Sequence, residues 1–116
     1  GEAAIETFKQ WRNKYDGNLL RARSVKIFAD GVVESKTAAL LAPYLGTDDP
    51  AETGILELQP STFKWFATKL SAESFQLHVH AIGDRAVRVA LDSIETAEKI
   101  SGRKDLRHHI AHLELI

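Results

Sequence analysis

At 116 residues the chain has the length of one ordinary domain, enough to bury a real core. Fifteen Lys and Arg against sixteen Asp and Glu leave a formal charge of −1, with no basic stripe to suit nucleic acid or an anionic membrane surface. Cysteine is absent, which excludes disulfides and thiolate metal sites and makes a cytoplasmic location the expectation.

From Glu2 to Tyr15, Ile5, Phe8 and Trp11 fall at helical spacing, and Asp16-Gly17-Asn18 ends the segment with turn residues. Ser24 to Asp30 alternates as a strand does, with Val25, Ile27 and Ala29 on one face and Lys26, Phe28 and Asp30 on the other. Gly31 to Gly54 has no period and reads as a long loop, with a short helix expected around Thr37 to Leu41. Its apolar run, Thr37 to Leu45, is broken by Pro43 and is too short to span a bilayer.

Pro60 suits the first turn of a helix whose stripe is Phe63, Phe66, Ala67 and Leu70. Phe75 to Ala81 is the next predicted strand. A second helix follows Gly83-Asp84, with Asp84 as its expected N-cap and Arg85 solvated. Its predicted buried face is Val87, Ala90, Leu91, Ile94 and Ala97, and Gly102 stops it. Arg107 to Leu115 is a third strand. A βαβαβ series implies a parallel sheet with right-handed crossovers, and such sheets place their sites at the C-terminal ends of the strands.

Strand alternation puts Lys26 with Phe28 and Asp30, His80 with His78 and Ile82, and His112 with His108 and Ile110. If those faces line one cavity, a lysine and several imidazoles converge there, and imidazole suits zinc and similar divalent metals. A lysine would ligate only if deprotonated or carboxylated. Singly, each residue has a plainer reading. A strand lysine is usually solvated, and adjacent His108 and His109 face opposite sides, so at most one serves the cavity. The joint occurrence is what carries weight.

Val25-Lys26-Ile27-Phe28-Ala29-Asp30-Gly31 followed by Thr37 to Tyr44, then His80-Ala81-Ile82-Gly83-Asp84-Arg85-Ala86, then Arg107-His108-His109-Ile110-Ala111-His112 resemble the fourth- to sixth-strand signatures of the amidohydrolase superfamily. The likeness is closest to the branch containing N-substituted formamide deformylase, and it runs from Val25 to the C-terminus. The resemblance implies that residues 1–116 are the central part of a (β/α)8 barrel in which Lys26 is a carboxylated, metal-bridging ligand and His80 and His112 bind metal, with zinc expected. It also implies a small-molecule substrate with an amide-like C–N bond, hydrolysed by metal-activated water. Ala111 stands where relatives often carry Glu; alternation turns it away from His112, so ligation is expected to survive. His78 is expected deeper in the barrel as a non-ligand.

A whole barrel takes about 250 residues. The family's first-strand His-x-His and eighth-strand Asp have no counterpart here, so no catalytic base is assigned, and metal binding by this chain alone is expected to be weak and catalysis absent. Unpaired outer strands and an inner face bearing Phe28, Ile82 and Ile110 predict self-association. Two other readings stand beside this one: a non-enzymatic α/β binding module, and a small protein with one structural zinc on His78, His80 and His112. No side chain between Val32 and Thr53 identifies a substrate.

Overall fold

The computed structural model describes residues 1–116. Helix α1 (Glu2–Lys14) leads into strand β1 (Ser24–Phe28), followed by helix α2 (Pro60–Ala72), strand β2 (Gln76–Gly83), helix α3 (Asp84–Ser101) and strand β3 (His109–Leu115). The strands form one parallel sheet in the order β1-β2-β3, with Lys26 opposite His78 and Phe28 opposite His80 across the first pair. This is the α/β arrangement of a partial (β/α)8 barrel, as the sequence predicts.

Alternation decides which face is covered. Val25, Ile27, Leu77, Val79 and Ala81 are buried beneath α2 and α3, together with Phe63, Ala67 and Leu70 of α2 and Ala86, Ala90 and Ala97 of α3. The opposite face carries Lys26 and Phe28, both exposed. Helix α2 buries the predicted stripe except Phe66, which is only partly covered, and Ser71 joins it. Helix α3 differs more. Its buried positions are Ala86, Ala90, Ser93 and Ala97, while Leu91 is 53 % exposed. Small residues let α3 lie close to the sheet and α2, so the closest-packed stripe is the alanine stripe rather than the bulkiest one. Gly102 ends the helix at φ 69°, the left-handed stop expected of it.

The loop between β1 and α2 contains no helix at Thr37 to Leu41. Its backbone groups bond elsewhere: the Ala39 N–H to Asp30, the Leu40 N–H to the Thr53 carbonyl, and the Leu41 N–H to Asp84. Ala38 and Ala39 are fully buried where the loop folds over the C-terminal end of β2. The Ala39 carbonyl accepts the Arg85 and Ala86 N–H groups, so a backbone carbonyl from the loop caps the start of α3. Asp84 is therefore not the N-cap; Gly83 is, and Asp84 is the first helical residue, accepting from the Leu41 N–H at 2.8 Å. Nor is Arg85 solvated. It is half-buried and reaches the Thr53 and Gly54 carbonyls at 3.4 and 3.3 Å.

Candidate metal centre

On the uncovered face Lys26 Nζ lies 3.4 Å from His78 Nε2 and 5.1 Å from the centre of the Phe28 ring. Phe28 in turn packs on His80, with ring centres 4.9 Å apart. Loss of hydration holds the His78 imidazole below the ordinary histidine range, and the Lys26, His109 and His112 charges push the same way. His78 is thus suited to staying neutral beside a lysine.

Strand β3 departs from simple alternation. His109 lies opposite His78, with ring centres 4.2 Å apart, and Ala111 is the register partner of His80. The pairing then shifts between Ala81 and Gly83, and His112 and Leu113 take φ values of 87° and 48°. This irregularity brings the His112 ring to 4.7 Å from that of His80. His112 therefore shares the uncovered face with His109, not with His108 and Ile110 as alternation predicts. Ala111 belongs by register to that same face rather than turning away from it. Ile110 packs against the core and Ile82 is buried, so of the three apolar residues expected on the inner face only Phe28 is exposed. His108 sits before the strand. Its Nδ1 accepts the Leu77 N–H at 3.0 Å, so in the neutral ring the proton is on Nε2, which bonds Ser71 Oγ at 3.1 Å.

His80 is 7 % exposed, and its Nε2 lies 2.8 Å from the Gly31 carbonyl oxygen. A carbonyl can only accept, so Nε2 carries the proton, and in the neutral ring Nδ1 keeps its lone pair. Asp30, 1 % exposed, lies just behind this contact. Its carboxylate accepts the N–H groups of Ala39, Ile82 and Gly83 at 2.9, 3.0 and 2.8 Å, and Oδ1 is 3.5 Å from His80 Nε2. Asp30 thereby joins the end of β1, the end of β2 and the loop. Sequence alternation groups Asp30 with Lys26; only the path of the loop over β2 reveals its buried role.

Lys26, His80 and His112 thus stand on three adjacent strands and one face. The donor set fits a divalent cation: His80 has one ring nitrogen tied to a carbonyl and the other free, the usual condition of a metal-binding histidine. No three His, Asp or Glu side chains gather into a group that could hold a metal by themselves.

The model of the amidohydrolase family matches residues 1–116. The chain is 32 % identical over 111 residues to YtcJ of Bacillus subtilis (strain 168), a provisionally named amidohydrolase, covering 96 % of this chain and 20 % of YtcJ. It is equally 32 % identical over 111 residues to the exoenzymes regulatory protein AepA of Pectobacterium carotovorum, 23 % of which it covers. Two crystal structures of uncharacterized metal-dependent hydrolases superpose on it. That from Pyrococcus furiosus gives a TM-score of 0.66 at 35 % identity over 80 % of this chain, and that from Pyrococcus horikoshii OT3 gives 0.67 at 28 % over 90 %. The chain spans 20 % and 25 % of those two structures, so its counterparts form about a fifth to a quarter of longer proteins.

Proposed function

The chain belongs to the amidohydrolase family, and from that premise we propose that it is the fourth- to sixth-strand part of a metal-dependent hydrolase that cleaves an amide-like or cyclic C–N bond. Lys26, His80 and His112 are the residues that hold the cation, zinc by the chemistry of the nitrogen donors, with Lys26 carboxylated so that it offers oxygens. A bound divalent cation supplies Lewis-acid polarisation of the scissile carbonyl and makes water more acidic.

The observation that carries this reading is His80. Its Nε2 proton is held by the Gly31 carbonyl, its ring is 4.7 Å from that of His112 on the adjacent parallel strand, and both stand on the face that carries Lys26. The chain's own residues present ligands and orient them. Phe28, packed on His80, screens that ring from water on one side. The proton transfers of hydrolysis fall to a base on another strand, so the 116 residues alone are expected to be inactive.

Metal analysis of the full-length protein that contains this segment tests the assignment. We expect bound divalent metal, lost or reduced severalfold by Lys26→Ala, His80→Ala or His112→Ala and retained by His78→Ala. A metal-free full-length protein, or three variants with undiminished metal, would refute it.

A further inference from the structure

We infer that Asp30 is a positioning residue for the metal site, fixing the tautomer and orientation of His80 so that Nδ1 is the nitrogen presented to the cation; this rests on the function proposed above. The carboxylate lies behind the site rather than on substrate or ion. It acts through backbone. By accepting the Ile82 and Gly83 N–H groups it holds the end of β2, two and three residues beyond His80. By accepting the Ala39 N–H it seats the loop over that end.

The next residue after Asp30 is Gly31, whose carbonyl receives His80 Nε2 at 2.8 Å. Gly31 itself is held tightly: its N–H bonds the Thr37 carbonyl at 3.1 Å, and a Cβ there would lie 2.0 Å from Thr37 Oγ1. Asp30 Oδ1, 3.5 Å from Nε2, adds negative charge on the side where that proton sits. Both the carbonyl and the carboxylate favour Nε2–H over Nδ1–H. An imidazole with its tautomer set beforehand offers a lone pair without rearrangement, and loss of such outer partners typically lowers metal affinity about 10–100-fold.

The test uses the full-length protein containing this segment, labelled with 15N-histidine, and reads ring-nitrogen shifts by NMR after metal removal. The His80 signals are assigned by their loss in His80→Asn. In the metal-free wild type we expect His80 as a single Nε2–H tautomer. An Nδ1–H tautomer, or a mixture of the two, would overturn the inference without any Asp30 variant.

Asp30→Asn keeps the shape but replaces one acceptor oxygen with an NH2 group facing backbone donors. A folded variant is expected to lose the single-tautomer signature at His80 and to bind zinc about 10–100-fold more weakly in chelator competition. Unchanged tautomer and unchanged affinity in the folded variant would also overturn it. If Asp30→Asn does not fold, the same two readings on Asp30→Glu, which keeps the charge but displaces the carboxylate, decide: loss of the single tautomer supports the inference, and unchanged tautomer and affinity overturn it. A wild type that binds no zinc would sink the proposed function, whereas the His80 tautomers of metal-free wild type and Asp30 variant, compared, would still report on Asp30.

Discussion

Gly46 and Gly54 have nearly the same backbone conformation, φ 79° and 73°, but very different surroundings. A Cβ on Gly46 meets nothing within 4 Å, whereas one on Gly54 would lie 1.9 Å from the Ala38 carbonyl oxygen, in the part of the loop that covers β2. Gly46→Ala should therefore cost only the left-handed strain of an L residue, about 1–2 kcal/mol. Gly54→Ala adds a backbone collision that flexible side chains cannot relieve, and should cost at least about 3 kcal/mol, among the severe single substitutions. Urea midpoints of the two variants give the comparison, and equal losses would mean that Gly54 does not press on the Ala38 backbone across the loop. At this scale Lys26, His80 and His112 can be picked out from the sequence because each lies within a recognisable strand motif. Asp30 was legible only as a polar strand end, since what it accepts is the N–H of Ala39, nine residues on, and of Ile82 and Gly83, more than fifty residues on.

Elements are joined by a second polar contact, half-buried, at His108. Its ring ties the start of β3 to the Leu77 N–H of β2 and to Ser71 of α2. Burial holds its pKa below the ordinary histidine value; the Glu98 charge opposes that shift and His109 adds to it. A native pKa below the unfolded one means that the unfolded chain binds the extra proton first. The contribution is complete above about pH 6.5 and is lost as pH falls from there toward the lower native value. Stability measured by urea titration should thus decline on acidification below about pH 6.5. His108→Asn, which keeps an acceptor near the Nδ1 position and cannot titrate, should make that decline shallower; the remaining slope belongs in part to His78, depressed in the same sense. An unaltered slope in the variant would assign the effect elsewhere. Helix and strand periods gave the order of elements correctly, because each is set by local spacing. The stripe on α3 and the side of β3 carrying His112 were misread for one reason: close packing through alanines and a shift in strand register are decided by neighbours, not by period.

The whole molecule is more open than a closed domain of its length. Its radius of gyration is 15.6 Å, against about 13 Å for a compact chain of this size, and its extents are 52 × 29 × 25 Å. Only 22 of 116 residues are buried, which is what a three-stranded arc covered on one face would give. Strands β1 and β3 each have an unpaired edge, and beside β1 lies a groove of about 400 Å³ lined by Phe8, Ile27, Phe28 and Phe66. Phe28 at 53 % and Leu91 at 53 % exposure place apolar surface on both layers. Open strand edges next to exposed aromatics promote pairing with a second chain. The isolated 116 residues should therefore self-associate at tens of micromolar (on the order of the range where strand-edge contacts form), seen as a rising weight-average mass by light scattering. Phe28→Lys, which places a charge on the uncovered face beside Lys26, should reduce that association while leaving the circular dichroism of the helices unchanged. A monodisperse monomer at those concentrations would mean that the edge strands are blunted by something other than partner strands, and Lys26, exposed on β1, is the side chain placed to do it. In that event Lys26→Ala should restore association, which separates protection by charge from simple lack of attraction.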